Sequence, residues 1–393
     1  MKLNQVAFYA TVLLLSVTFL FVGNHLAGDG VTVPADDGSE IVSARITEII
    51  NRTEDVLGGG LDGEVVQTST RFLAQVTSGE LRGTTLTAEQ SVSTVFGTEQ
   101  RMVDVGDHVL LWSSEWIETY FFIDYVRSNH LITLGAVLAV FIMLFGGYKG
   151  ISALVALGLA CLSIFFVFVP AILSGRNIYL ATAVICVYAI LSTLLLVAGP
   201  QKKTLAAILG CLGGVIIAGG LMLFLDTALY LTGFLGGEAE GLLRLPTEVP
   251  IDLRAIVFAG VIIGALGAIM DVSVSMSSSL WEVRLASKRV STKDLFRSGV
   301  NIGRDILGTM LNTLILAYIG SSLSLLLLII AYATSMVELF NREMIVVEIL
   351  RAIVGGFGML LTIPLTAGIC GWLYTKAGKS TNLMKQTLRT KGK

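Results

Sequence analysis

Between Gly264 and Val283 the chain reads GALGAIMDVSVSMSSSLWEV. A run of small and apolar residues suited to lipid is interrupted by Asp271, then by Ser273, Ser275, Ser277, Ser278 and Ser279. A second stretch, SGVNIGRDILGTMLNTLILAYIGSSL from Ser298 to Leu323, sets Asp305, Thr309, Asn312 and Thr313 in similar surroundings. Carboxylate, hydroxyl and amide oxygens can replace the hydration shell of a cation, and a carboxylate withdrawn from water can carry a proton. The candidate chemistry is binding of an ion or small solute by Asp271, Ser275, Thr309, Asn312 and Asp305. The competing reading is adhesion, since Ser, Thr and Asn join membrane helices at about 0.6 kcal/mol per hydrogen bond. In that reading Arg304 and Asp305 form only an interfacial ion pair.

On a helix, positions 271, 275, 278 and 282 share one face, which carries Asp271, Ser275, Ser278 and Glu282. Met276 and Leu280 take the opposite side, with Ser273 beside them. Such a stripe is expected to face protein or water rather than lipid. Two antiparallel helices would bring Asp271, Ser275, Thr309 and Asn312 to one depth. Tyr318, Ser321 and Ser322 would continue a polar strip along the second helix.

The elements that must hold these residues are membrane helices. The 393-residue chain is 54% hydrophobic, with mean hydropathy +0.79 and 14% charged residues, against about 25% charged in soluble domains. Runs near the 20 residues needed to span a bilayer occur eight times, at Val6–Val22, Leu131–Gly147, Ile151–Leu173, Ile178–Ala198, Leu205–Leu225, Ala255–Val274, Ile306–Ala333 and Ile349–Tyr374. No A-x-A cleavage site follows the first run, so it is read as an uncleaved anchor. With the N-terminus inside, 16 of the 27 Lys and Arg residues fall on the cytoplasmic side, as the positive-inside rule requires. The short outer loops hold Arg176, Arg244, Arg254, Arg342 and Arg351. The expected organisation is an anchor helix over 1–23, an extracytoplasmic domain over 24–130, a seven-helix membrane bundle over 131–376 and a basic cytoplasmic tail over 377–393.

The segment 24–130 carries 17 acidic residues and 6 arginines, with no lysine or cysteine. After a linker-like piece, Gly28–Glu40, it reads as β structure. Asp62-Gly63 suits a hairpin. Arg71–Val76 runs into a turn at Ser78-Gly79-Glu80, Gly106-Asp107 breaks two β-favouring runs, and Tyr120–Val126 is a last strand-like run. A small β-barrel or sandwich of about five or six strands is expected.

Ser291-Thr292-Lys293-Asp294 resembles a capping box. It predicts a short helix on the membrane surface, with Leu295 and Phe296 in lipid and Lys293 and Arg297 at headgroups, before the chain re-enters the membrane. Gly210–Gly214 and Gly260–Gly264 are GxxxG pairs, and Gly355, Gly356 and Gly358 cluster in the last span; small residues let helix backbones approach. Pro364 should kink or hinge that span.

Several function classes find no support. His25, His108 and His130 are far apart, and Cys161, Cys186, Cys211 and Cys370 lie in apolar runs without metal-ligand spacing; no metal and no cofactor are expected. A P-loop is absent, and no basic soluble domain suits nucleic acid. Two membrane aspartates suggest an intramembrane aspartyl protease, whose dyad shares a proton, but Gly303-Arg304-Asp305 lacks the second glycine of GxGD. The chain is read as not an enzyme. Its expected partners are membrane lipids and either an extracytoplasmic protein or a small ion or solute, and the basic tail suits anionic headgroups.

GALGAIMDVSVSMSSSLWEV and SGVNIGRDILGTMLNTLILAYIGSSL resemble the two most characteristic stretches of the YibE/F-like family of bacterial multipass membrane proteins. VGDHVLL, DYVR, YKGISALVALGLACLSIFFVFVPAILSGRN and LLTIPLTAGI extend the resemblance over roughly 103–374. The matching motif positions are Asp271, Ser275, Glu282, Gly303, Arg304, Asp305, Thr309, Asn312, Thr313 and Tyr318. The resemblance implies a cell-membrane protein with an extracytoplasmic β domain before a helical bundle, and it carries no substrate or reaction. The functional expectation is a secondary transporter or permease of unknown substrate; the alternative is a non-transporting scaffold acting through the extracytoplasmic domain.

Overall fold

The computed structural model describes residues 3–28, 40–60, 63–93, 101–113, 119–245, 247, 249–287, 290–332 and 335–390. Asp62, most of the linker-like piece at 29–39, and Lys2, Lys288, Arg289, Lys391 and Lys393 lie outside the described residues. The chain divides into two compact units, Val33–Ile142 and Met1–Thr32 with Met143–Lys393.

The smaller unit is a closed barrel. Its strands are β1 (Glu40–Gly60), β2 (Gly63–Val76), β3 (Thr85–Ser93), β4 (His108–Ser113) and β5 (Tyr120–Tyr125), ordered β1-β2-β3-β5-β4. All pairings are antiparallel except β3 with β5. Alternate residues point inward, so Val42, Ala44 and Ile46 meet Phe72, Ala74 and Val76, with Ala88, Val109 and Leu111 completing the core. Gly79 and Gly106 turn the chain at φ 82° and 98°, a region that L side chains avoid, at the two places where the sequence predicts breaks.

One buried amide secures the 101–103 segment to the barrel. Gln90 is 3% exposed; its side-chain nitrogen donates to the Arg101 carbonyl at 3.2 Å and its oxygen accepts from Val103 N at 2.9 Å. Replacing Gln90 with alanine leaves a buried N–H without an acceptor, at a cost of about 1–3 kcal/mol. Hydrogen exchange of the full-length protein should accelerate at Val103 in this variant; unchanged exchange would show that the segment is held by other contacts.

The larger unit is helical. Among the described residues seven helices are long and apolar enough to cross a membrane, where the sequence predicts eight spans. The second and third expected spans lie on one helical stretch, Ser128–Leu173, interrupted at Gly147 by non-helical torsions of 53° and −135°. Glycine permits that local reversal without ending the helix on either side. The stretch comprises α2 (Ser128–Ser163), a π-helical turn (Ile164–Phe168) and α3 (Val169–Leu173). Pro170 lacks an N–H, and a wider turn just before it accommodates the freed backbone. α1 (Leu3–Gly28) packs on this turn, where a β-carbon at Gly23 would lie 2.9 Å from Val167.

The core is built from α4 (Ile178–Ala198), α5 (Lys202–Ala228), α7 (Leu253–Ala286), α8 (Thr292–Ser321) and α11 (Glu343–Thr390). Between them lie the short helices α6 (Gly237–Leu243), α9 (Leu323–Tyr332) and α10 (Met336–Asn341). Of α11, Glu343–Thr375 is the part apolar enough to span, and the helix continues on both sides of Pro364.

Two expectations need correction. The capping box at Ser291 and Asp294 is present, but it starts a single 30-residue helix rather than a separate surface helix. Nothing stops that helix, because Gly299 and Gly303 serve close packing instead of a break. A β-carbon at Gly299 would lie 2.7 Å from Ala367 Cβ and 3.0 Å from Leu280, and one at Gly303 would collide with Ile363. Arg351, read as an outer-loop residue, sits inside the spanning part of α11 because that helix already begins at Glu343.

Candidate functional site

α7 is capped by Asp252, which accepts from Ala255 N at 3.2 Å. From there the helix buries a broad apolar face comprising Ile269, Val272, Met276 and Leu280, together with Ser273 and Ser277. The opposite face carries Gly260, Gly264, Gly267, Asp271 and Glu282, all exposed, with Ser275 and Ser278 half-buried among them. The stripe expected from the sequence therefore exists, and it points away from the bundle core. At 1.5 Å per residue Asp271 lies about 27 Å along the helix from Leu253.

α8 is organised in the same way. Gly299 and Gly303 face α11, whereas Asn301, Arg304, Asp305, Gly308, Thr309, Asn312 and Thr313 are exposed. Two contacts set its register against α7: Leu280 approaches Gly299, and Gly264 approaches the Tyr318 hydroxyl. The helices are thus antiparallel, and Asp271 and Thr309 fall at similar depth between those contacts. Depth is where the agreement with expectation ends. Among the described residues no hydrogen bond joins Asp271, Ser275, Thr309, Asn312 and Asp305 to one another. Thr309 donates to the Ile306 carbonyl at 3.0 Å and Thr313 to the Thr309 carbonyl at 2.9 Å. The Arg304–Asp305 ion pair of the competing reading is not seen among the described residues, since adjacent helical residues point about 100° apart.

The result is an outward polar face with a carboxylate and a carboxamide that have no protein partner among the described residues. In hydrocarbon such groups are costly unless water or another protein surface covers them. The face presents acceptor oxygens from a carboxylate, hydroxyls and an amide, a set suited to cations and to hydrogen-bonding solutes.

A second polar group is one that sequence reasoning missed. Glu348 accepts from Arg351 at 2.5 Å through one carboxylate oxygen. Its other oxygen and the Tyr318 hydroxyl are buried without a hydrogen-bond partner. A cavity of about 220 Å³ is lined by both and by Ser322. The signal available was the Glu348–Arg351 pair at i,i+3, set against a span boundary read several residues too late. Hydroxyls of Ser273, Thr204 and Thr366 are also buried without partners. Among the described residues no cluster of His, Cys, Asp or Glu could hold a metal ion.

A family model described as YibE/F-like protein matches residues 134–376. That range contains all of α7 and α8 and the spanning part of α11, and it leaves the barrel strands outside. No curated protein matches, and no solved structure matches.

Proposed function

Because the chain belongs to the YibE/F-like family, and its several apolar helices make it an integral membrane protein, we propose that it is a secondary transporter or permease. In this reading the outward polar face of α7 and α8 forms one wall of a path for a small cation, a proton or a polar solute. Asp271 is the charge-bearing group, and Ser275, Thr309 and Asn312 supply neutral oxygens. Asp305 lies nearer the start of α8 and serves as an entry group. The single observation that carries the reading is the unpaired, exposed Asp271 carboxylate on a membrane helix, at the depth of Thr309. The face is open on its outer side, so the path is completed by water or by a second protein surface.

The same proposal places the termini in the cytoplasm of a bacterial cell and the barrel outside it, on the distribution of Lys and Arg. It assigns no enzymatic step and no nucleic acid partner. The alternative reading is a non-transporting scaffold that acts through the extracytoplasmic domain, the separate barrel unit.

The experiment is a paired measurement on full-length protein. Thermal unfolding in detergent is followed across pH, monovalent and divalent cations and a panel of polar metabolites, with Asp271→Asn in parallel. A ligand at about 100 times its Kd stabilises by about 2.7 kcal/mol, so the wild type should respond to a ligand that leaves the variant unmoved. In proteoliposomes, flux of that ligand should fall at least roughly ten-fold, the loss of one charged contact of about 1.4 kcal/mol. No ligand response, with function lost only on deleting residues 36–129, would overturn the transporter reading in favour of the scaffold.

A further inference from the structure

One large cavity lies away from the polar face. It is a groove of about 790 Å³ between α1 and α4, closed behind by the π-helical turn and α3. That volume lies in the range of small-molecule sites, about 300–1,000 Å³. Its walls are apolar. Leu15, Val22 and Leu26 of α1 and Leu180 and Val184 of α4 remain 43–66% exposed along it. The polar exceptions are Thr18, whose hydroxyl donates to the Leu14 carbonyl, and, at one end, Arg176 and Asn177, which precede the first residue of α4.

The position of that end is built rather than incidental. Gly175, at φ 71°, turns the chain against Val249, whose Cβ would lie 2.8 Å from a β-carbon there. Asn177 caps α4 by accepting from Leu180 N at 3.0 Å, which leaves its amide nitrogen free to donate. Arg176 makes no side-chain hydrogen bond or ion pair among the described residues. The cation and the amide therefore sit where a spanning helix begins, and the apolar walls run inward from them.

Length points to the occupant. The lining residues of α1, from Leu15 to Ala27, cover about 18 Å at 1.5 Å per residue. One leaflet of a hydrocarbon core about 30 Å thick is roughly 15 Å deep. Beside it Phe19 stacks on Tyr188, with ring centroids 4.2 Å apart. A further apolar depression of about 380 Å³ adjoins the groove there and shares Phe19 and Val184 with it. A partner helix would need a track along the whole span, whereas a groove one leaflet deep with a cation at the interface matches a lipid.

We propose that this groove holds one anionic phospholipid, with its phosphate at Arg176 and the Asn177 amide and an acyl chain along α1 and α4. The site stands independently of the transport reading. It is tested by native mass spectrometry of the full-length protein in mild detergent after exchange with phosphatidylglycerol or phosphatidylcholine. The wild type should retain one phosphatidylglycerol in preference to phosphatidylcholine by roughly five-fold, the worth of one cation at an anionic headgroup. Arg176→Gln should bring that ratio to about one with an unchanged unfolding midpoint. Ala181→Phe, which fills the groove, should remove the retained lipid altogether. Equal retention of the two lipids by the wild type, an unchanged ratio in Arg176→Gln, or protection of the groove only in a two-chain species would overturn the proposal. Should Ala181→Phe fail to fold, the Arg176→Gln ratio decides alone.

Discussion

Gly214→Ala should lower the thermal unfolding midpoint of the full-length protein by roughly 1–4 °C, an overpacking cost of about 1–3 kcal/mol. The cause is the close approach of α5 to α11 and α7. A β-carbon at 214 would collide with the Thr362 hydroxyl and lie 2.9 Å from Ile269 Cγ2. Both neighbours are buried, with Thr362 at 0% exposure, and Thr362 already donates to the Gly358 carbonyl at 2.7 Å, so neither can swing aside. Membrane helices associate largely through such close packing, and little else compensates for a gap forced between them. Adding Thr362→Ala to Gly214→Ala removes the colliding oxygen and should recover much of the loss. Gly260→Ala and Gly267→Ala are the controls. Their β-carbons meet nothing within 4 Å, so they should be neutral or stabilising by up to about 1 kcal/mol, the helix propensity gained over glycine. A Gly267→Ala protein as damaged as Gly214→Ala would show that flexibility, rather than contact, decides.

The second large effect belongs to the loop between α5 and α7. Gly233→Ala should cost roughly 3 kcal/mol or more, combining left-handed strain with a collision that cannot relax. Gly233 sits at φ 78°, and a β-carbon there would lie 2.5 Å from Leu253 C and 2.6 Å from Arg254 N. These are backbone atoms of the first turn of α7, so no rotamer change relieves the contact. The loop is also tied to α11. Glu343 accepts from Thr232 N at 2.7 Å and Gly233 N at 2.6 Å through one oxygen, and from the Thr232 hydroxyl at 2.6 Å through the other. Displacing Gly233 breaks those bonds together, whereas Gly237→Ala meets nothing within 4 Å and should be silent. Unfolding midpoints of the two variants, with hydrogen exchange at Thr232 and Gly233, separate the cases. A Gly233→Ala protein with wild-type exchange would mean the clamp does not hold the loop.

How much was legible varied with the kind of interaction. Part of the barrel was readable, because Arg71–Val76, the run after Gly106-Asp107 and Tyr120–Val126 favour β structure, and β2, β4 and β5 fall there; β1 and β3 lie where no such run was read. The closure of β3 on β5 in parallel was not readable, since it depends on pairing between residues such as Ala88 and Tyr120 that nothing local announces. In the bundle the stripe Asp271, Ser275, Ser278 and Glu282 was correctly placed on one face by helical period alone. Its outward direction was not, because the core-facing side of α7 is chosen by Gly214 and Gly358 on other helices, which Ile269 approaches closely. The reading of Gly299 and Gly303 shows the same limit. A glycine in a helical pattern marks either a break or a contact, and only the positions of Ala367 and Ile363 distinguish the two.

The sequence alone determined that the chain enters a membrane several times, carries a separate β domain and bears a polar helix pair, because hydropathy, period and turn chemistry are properties of neighbours in the chain. The tertiary structure alone decided that Asp271 and Asn312 face outward, that Glu348 and Tyr318 share a buried cavity, and that Arg176 heads an apolar groove. Each of those depends on which surfaces of different helices come within a few ångströms. That is settled by the fit of side chains far apart in sequence, glycine against threonine and leucine against glycine, and no local pattern encodes it.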